Sequence, residues 1–397
     1  MAQSYEHFMS IDVEALRRAT PATATVAHLN NAGAALPSRA TLTATIAHLQ
    51  LEAAIGGYEA ASAAQEALTL TRTSIAQLLN ATPAEIALTT SDSQSFLKAF
   101  WALVHSGWFS PGDVVAVDRL SYNSHHLALL QAVSVHGIRV EVVNSRIDID
   151  AARLVAYTHV GTHSGAVNDL SGVAAITRAR GVPFFVDACQ SVGQLEVDVE
   201  SIGCDVLTGT GRKWLRAPRG TGFLYVRDAW IERLEPLGID GHSASWTAVN
   251  SYEVNADATR FEEFECCVAA RIGMGVAVQE LLTLGVASVA ERVAVVAGRL
   301  RSGLAAMDRV AVHDGDGAVC GIVTFTVDGV APDAVAAAAQ RAAININTST
   351  AAWARVDMDG GKPQQKIRAS PHAYNTEAEV DRLLEVVASS ANPLQNS

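Results

Sequence analysis

Between about residue 70 and residue 226 the chain alternates short runs of apolar, mostly β-branched residues with longer stretches in which apolar positions recur at helical spacing. The runs predict strands at 86–90 (IALTT), 114–117 (VVAV), 139–143 (RVEVV), 154–158 (LVAYT), 183–187 (PFFVD), 205–208 (DVLT) and 222–226 (GFLYV). Segments such as 94–105 and 171–180 are long enough for crossover helices, so the pattern is that of an α/β protein with a mostly parallel sheet and helices on both faces. Thr82-Pro83-Ala84-Glu85 reads as a capping box with proline at the first helical position. After residue 260 the texture changes. An Ala/Val/Arg-rich helical region (268–308) leads to strands at about 321–327 and 365–370, with an Ala-rich helical stretch around 332–343. A last helix starts at Thr376, where Thr376 and Glu379 form a second capping box ahead of VDRLLEVVA. The expected division is a large domain over 26–260 and a smaller α+β domain made of 1–25 and 261–397, with a loose tail, NPLQNS.

Composition agrees with a globular chain: of 397 residues, 49% are hydrophobic and 18% charged. A net charge of −12 argues against nucleic acid or an anionic membrane as a general partner, and an anionic ligand would need a local pocket of positive charge. The opening MAQSYEHFMSIDVEALRR lacks a basic start, apolar core and cleavage site. The least polar long stretch, 154–176, contains His159, His163 and Asp169 and is broken by three glycines, so it is not a membrane span. Five cysteines without a CxxC spacing suit a reducing cytoplasm. Cys189, Cys204 and Cys320 read as core thiols, and Cys266 and Cys267 as interface residues.

In an open parallel sheet, ligands bind outside the carboxyl ends of the strands, so functional residues should follow strands. Asp187 closes the apolar run PFFV. A buried carboxylate there needs a positive partner, and a protonated pyridine nitrogen is one; a helix N-cap reads as well for Asp187 alone. Gln190 follows three residues later, within reach of a ring hydroxyl. Lys213, in DVLTGTGRKW, follows the next strand and a glycine turn, and desolvation with Arg212 beside it would free its amine for a Schiff base. The glycines around it do not make a dinucleotide fingerprint. TTSDSQSFLKAFWAL (89–103) is a strand end, a polar turn and a helix start, where N–H groups near Asp92 and Ser93 and the hydroxyls of Ser91 and Ser93 could cradle a phosphate; a plain serine cap explains it too.

Together, LNNAG (29–33), TSDSQS (90–95), THVGTHSG (158–165), VDACQSVGQ (186–194), GTGRKW (209–214), RGTGFLYV (219–226) and RASPHAYNTEAEVDRLL (368–384) resemble, in order and over nearly the whole chain, the fold-type I pyridoxal 5′-phosphate (PLP) enzymes of the class V aminotransferase group. That group includes cysteine desulfurases, kynureninase and isopenicillin N epimerase-like proteins. The resemblance implies the fold-type I PLP-dependent transferase fold and PLP held as a Schiff base on Lys213. Asp187 would pair with the pyridine nitrogen, and Gln190 would lie near the ring oxygen. Asp92 and Ser93 would lie at the phosphate turn, with Thr210 and Arg212 flanking the lysine. Tyr122, or else His125 or His126, would stack on the ring. Arg368 would grip the substrate α-carboxylate and Asn31 would line the substrate pocket. It also implies a homodimer acting on a small amino-acid substrate.

Three departures stand out. Arg212 replaces the histidine that often precedes the lysine, and EFECC (263–267) stands where relatives carry Gly-Thr to reach the partner subunit's phosphate. No cysteine follows Cys320, so the loop 346–365 cannot carry a persulfide. Desulfurase activity is therefore not expected. The chain is most similar within the group to carbon–sulfur lyases of cysteine-sulfoxide conjugates, ahead of epimerase-like or desulfurase-like activities. Two readings from other classes fit the residues less well. HVGTH (159–163) has the spacing of a metal-dependent hydrolase but lacks the helix and glutamate that make it one. A non-catalytic binding module would not need Lys213, Asp187 and Arg368 together.

Overall fold

All seven expected strands form one sheet. In the computed structural model, which describes residues 11–143, 149, 151–314, 319–358 and 365–391, they are β1 (Ile86–Thr89), β2 (Val114–Val117), β3 (Arg139–Val142), β4 (Ala152–Thr158), β5 (Phe184–Asp187), β6 (Val206–Thr210) and β7 (Gly222–Val226). Their spatial order is β1-β7-β6-β5-β4-β2-β3. Only β7 runs against its neighbours β6 and β1; the other pairs are parallel. The tail 392–397 and the first ten residues lie outside the described residues.

All the strands but β3 are buried on both faces, and their alternation sorts side chains into two cores. Leu88, Val155, Phe184, Val186, Leu207 and Tyr225 join one cluster, while Ala87, Leu154, Phe185, Val206 and Leu224 join the other. Helices α1 (Arg39–Ile55) and α2 (Gln65–Leu79) precede the sheet. Within it, α3 (Asp92–His105) and α4 (Asn123–His136) cover the second face with Phe96, Phe100 and Leu129. β3 is the outer strand, and its exposed Arg139 and Glu141 give that edge charge.

The helical region expected at 268–308 is two helices, α5 (Val268–Leu284) and α6 (Val286–Ala305), bent by 82°. The break falls at Gly285, whose φ of +80° suits glycine. No single helix among the described residues is long and apolar enough to cross a membrane. α5 packs on α1 and α2, and its Met274 and Val278 belong to the first-face core. Packing therefore does not change at residue 260: nine of the 17 residues of α5 are buried, and the helices that cover it are those beside the larger sheet.

The smaller sheet follows, with β8 (Val310–Val312), β9 (Val323–Val327), β10 (Asn347–Thr350) and β11 (Gln365–Ala369) in the antiparallel order β8-β9-β11-β10. The N-terminal arm joins it. Residues 27–28 pair in parallel with 344–345, and Asn30 bridges to Ser370. The last helix, α7 (Glu377–Ala391), carries the expected capping box: Glu379 accepts from the Thr376 N–H at 3.1 Å, and its own N–H donates to the Thr376 hydroxyl at 3.2 Å. The box at Thr82–Glu85 also forms, but on a single 3₁₀ turn, because β1 begins at once.

One buried carboxylate ties the sheet edge to both flanking helices. Glu262 is fully enclosed and meets Arg72 of α2 at 2.6 Å, Arg271 of α5 at 3.2 Å, His242 at 3.1 Å and the Leu88 N–H of β1 at 2.8 Å. Burial alone would raise its pKa; the His242 hydrogen bond, both guanidinium charges and the Leu88 N–H instead hold it at about 2. Its contribution to stability is complete above the unfolded value of 4.5 and is lost as pH falls through about 2. Glu262→Gln is expected to cost about 3 kcal/mol in urea unfolding at neutral pH by stranding the two arginines. The gap to the parent should close toward pH 2; a gap independent of pH would count against the ion pairs.

Candidate active site

Register sets the site's first row. Thr158 of β4 pairs with Asp187 of β5, and Asp187 with Thr208 of β6, so three polar residues stand side by side at the carboxyl edge of the sheet. β6 ends at Thr210, and the turn beyond it carries Lys213. A Cβ on Gly209 would lie 2.2 Å from the Phe223 ring, and one on Gly211 would lie 2.1 Å from the Thr221 hydroxyl. These glycines serve close packing against β7 and its approach. The Arg216 N–H closes the turn on the Lys213 carbonyl at 2.9 Å. Lys213 is thereby buried, with Nζ 3.1 Å from Cys189 Sγ and 5.9 Å from the centre of the Tyr122 ring.

Asp187, also buried, accepts from the Cys189 N–H at 2.9 Å, and its other oxygen lies 3.5 Å from His125 Nδ1. Burial, then the charge of nearby Asp92, raises its pKa, which marks a carboxylate short of positive charge. Asp92 is the first residue of α3. Its carboxylate accepts from the Thr208 hydroxyl at 2.7 Å and meets His125 Nε2 at 3.0 Å. What Asp92 offers an anion is its backbone N–H at the helix start, and its side chain is no phosphate ligand. Ser93 donates to the Ser124 hydroxyl at 2.9 Å, and the Thr210 hydroxyl donates to the Thr221 carbonyl at 3.3 Å.

Lys213 opens on a cavity of about 330 Å³, shared with Tyr122, Thr162, Arg212, Arg368, Trp353, Ala32, Gly33 and residues 347–350. Larger clefts of about 440 and 560 Å³ lie elsewhere, beside Trp101 and beside Arg72, away from this lysine. Arg368, on β11, reaches from the smaller sheet and donates to the Thr162 carbonyl at 3.1 Å and hydroxyl at 2.9 Å. Its Nε is buried without a partner. Burial lowers its pKa to about 10, so it stays cationic at neutral pH. Arg212 lines the same cavity and donates to the Gly33 carbonyl.

Of the three stacking candidates, Tyr122 faces the cavity. His125 is instead stacked on Phe96 at 4.0 Å between the two carboxylates, and His126 contacts the Ser121 hydroxyl at 3.4 Å outside the cavity lining. Two expectations need correction. Asn31 does not line the pocket. It is fully buried, donating to the His28 and Ser370 carbonyls at 3.1 and 2.7 Å and accepting from the Tyr374 hydroxyl; Ala32 and Gly33 take the lining positions because Asn31 is needed to tie the arm to β11. Gln190 is committed within the protein. Its amide donates to Thr162 at 2.8 Å and Ala32 at 3.2 Å, and its oxygen accepts from Trp214 at 3.0 Å, so meeting a ring oxygen would cost it one of these bonds.

Cys189, read as a core thiol, sits against Lys213; its place between Asp187 and Gln190 was the available signal. Thr162, which orients Arg368, and Trp353, stacked on Tyr122 at 6.3 Å, carried no motif of their own. Of the HVGTH histidines, His163 is held by the Ser349 hydroxyl at 2.7 Å, and burial depresses the His159 pKa to about 4. Among the described residues, the group with metal-ligand spacing is Asp92, Asp187 and Cys189. Its carboxylates are bridged by His125, and burial pushes the thiol pKa upward.

PLP asks of such a site a counter-ion for its ring nitrogen, an amine to bear it and a cradle for its phosphate. The pKa of Asp187 stays raised even with His125 beside it, a shortfall of positive charge that a protonated ring nitrogen would meet, and Lys213 is buried at the cavity. Arg368 keeps an orphaned N–H, and the 14-residue α3 begins beside Ser93 and Ser124. These residues fit the cofactor. Fold and site together define a PLP enzyme built on a mostly parallel sheet. The chain matches the family Aminotransferase class-V over residues 27–383 and belongs to it; PLP is its cofactor. It is 27% identical over 348 residues to the probable cysteine desulfurase of Methanothermobacter thermautotrophicus, covering 84% of this chain and 86% of that one. It is 30% identical over 376 residues to the probable hercynylcysteine sulfoxide lyase of Mycobacterium tuberculosis, covering 91% and 89%. A solved structure of a mutant C-DES, with glycine covalently linked to its PLP cofactor, superposes with a TM-score of 0.85 at 21% identity, over 94% of this chain and 99% of that one; at that identity the likeness speaks for the fold.

Borohydride treatment of the PLP-loaded protein, followed by peptide mapping, is expected to place a pyridoxyl adduct on Lys213. An adduct on Lys98 or Lys366 would overturn this placement of the site.

Proposed function

We propose that the protein is a carbon–sulfur β-lyase that cleaves a cysteine-sulfoxide conjugate, with hercynylcysteine sulfoxide as substrate and a sulfenic acid product that is afterwards reduced to ergothioneine by an external thiol, two thiols leaving as a disulfide with release of water. The observation that carries this reading is the cavity rim. Where a sulfur-accepting cysteine would be needed, residues 347–350 and Trp353 line the cavity, and the chain has no cysteine after Cys320. Residues 359–364 of that loop lie outside the described residues, but the sequence there, DGGKPQ, holds no thiol either. Cys189 is the thiol nearest Lys213, and burial keeps it protonated. The likeness to the Mycobacterium lyase supports the substrate.

When bound, PLP supplies an electron sink for the charge left as a proton leaves the substrate's α-carbon. Lys213 would bear the cofactor and, once displaced by the substrate amine, take that α-proton at Nζ. Asp187 would hold the ring nitrogen's proton, and Tyr122 would cover the ring. Arg368, fixed by Thr162, would bind the α-carboxylate through its free edge and so orient the α-carbon toward Lys213. The phosphate would take the start of α3 with Ser93, Thr210 and Arg212. The β-carbon–sulfur bond breaks with its electron pair going to sulfur. Over the whole reaction one water is consumed, and a sulfenic acid, pyruvate and ammonium are released. Loss as a sulfenate avoids expelling the more basic thiolate.

The same reading makes the protein a cytoplasmic homodimer. It is supported by exposed apolar side chains along one stretch, with Trp246 81% and Val249 85% accessible.

Two measurements test the reading. Given hercynylcysteine sulfoxide, cysteine and kynurenine in turn, the enzyme is expected to release pyruvate from the sulfoxide, and Cys189→Ala is expected to keep that rate near the parent's. A protein-bound persulfide formed from cysteine, with no pyruvate from the sulfoxide, would make the protein a desulfurase. Arg368→Lys should keep PLP bound yet lower kcat/KM by on the order of a hundredfold, because a point charge cannot replace the fork. Loss of PLP with unchanged kinetics in the reconstituted variant would make Arg368 structural.

A further inference from the structure

Asp92 and Asp187 are both buried, and their oxygens lie within 4.8 Å of each other and of Cys189 Sγ. Two carboxylates so close in a dry site cannot both ionise without a cation between them. His125 fills that place. Its Nε2 is 3.0 Å from Asp92 and its Nδ1 3.5 Å from Asp187. A carboxylate faces each ring nitrogen, Asp92 at hydrogen-bond distance and Asp187 at the longer distance of an ion pair, a pairing that favours the imidazolium form. Phe96 stacks on it at 4.0 Å and 9° and fixes its plane. The Thr208 hydroxyl fixes Asp92 from the other side.

The bridge is unequal. Asp92 makes the short contact and takes most of the imidazolium charge, while Asp187 has the longer one and keeps an oxygen available. We propose that Asp92 and His125 are positioning residues: Asp92 holds His125 charged and in place, and His125 orients Asp187 and offsets part of the cost of its ionisation, leaving it ready for the ring nitrogen of PLP without neutralising it. The inference rests on Asp187 meeting that nitrogen and is independent of the sulfur substrate. Alone, Asp187 would be driven by burial toward its neutral form. The charged groups around His125 are Asp92 from α3, Asp187 at the end of β5 and Lys213 behind β6, with the Cys189 thiol beside both carboxylates; the carboxyl of Asp118, near Asp187, is itself pushed up to about 7, first by burial. Burial works against the charged imidazole, but the two carboxylates outweigh it and raise its pKa.

The experiment reconstitutes the apoprotein and its Asp92→Asn, His125→Gln and Asp187→Asn variants with PLP labelled with ¹⁵N at the ring nitrogen. The ¹⁵N resonance reports ring protonation across the neutral range, equilibrium titration gives PLP affinity, and thermal unfolding of each apoprotein reports folding. Asp92→Asn keeps an acceptor for Thr208, so it preserves the packing while removing the charge. With Asp92 uncharged, His125 turns its full charge on Asp187; with His125 gone, Asp187 takes up a proton. Either way the ring nitrogen loses its counter-ion. Both variants are expected to release the ring proton at a pH lower by about one unit and to bind PLP about tenfold more weakly. An unchanged ring titration and affinity in both, whatever happens to the melting temperature, would overturn the inference while leaving Asp187 in place. If Asp187→Asn also keeps the parent's ring titration, the placement of Asp187 itself is wrong and the inference falls with it.

Discussion

A charge placed where water is excluded needs a partner, and that constraint organises the carboxyl edge of the central sheet. Asp187 stands at the end of an apolar strand, where burial opposes its ionisation. The chain surrounds it with His125, Asp92 and Lys213 rather than with solvent. Each of these groups is held by something else: His125 by Phe96, Asp92 by Thr208, and Lys213 by a turn beyond β6, where Gly209 and Gly211 pack too closely on Phe223 and Thr221 for side chains. The arrangement leaves unmet electrostatic demand at the cavity, which is what a cationic ring and an anionic substrate can satisfy.

The second constraint is that the site spans two sheets. Lys213 and Asp187 belong to the parallel sheet, whereas Arg368 extends from the antiparallel one. What registers them is a set of small polar ties, with Thr162 receiving Arg368 while also accepting from Gln190, and Asn31 joining the arm to Ser370 and Tyr374. Gln190 in turn holds Trp214, the neighbour of Lys213. Cofactor lysine, carboxylate-binding arginine and the N-terminal arm are therefore one hydrogen-bonded assembly, and a small shift in any tie would move the distance between the lysine and the arginine.

Most of the architecture was legible in the chain because it follows from local periodicity. The strands at 114–117 and 222–226 fell where the pattern put them, since each is an apolar run closed by polar or turn residues. The periodicity of 268–308 predicts helix but not two helices bent at Gly285, nor the packing of the first on α1 and α2, because one apolar helix looks like another until its neighbours are known. The roles of Asn31 and Cys189 were misjudged for the same kind of reason. Both lie in motifs, yet the side chain of one turns into a knot of backbone carbonyls and that of the other turns to the lysine.

The sequence by itself determined the α/β sheet, the positions of Asp187, Lys213 and Arg368 relative to strands, and the lack of a loop thiol, because those depend on residue type, spacing and strand periodicity. Tertiary structure decided which residues share the cavity. It put Tyr122 there and drew His125 away to bridge two carboxylates; it also gave Thr162 the task of aiming Arg368 and brought Trp353 to the rim. These outcomes join residues tens to hundreds of positions apart. They depend on which polar groups find partners once water is excluded, and periodicity along a chain does not encode that competition.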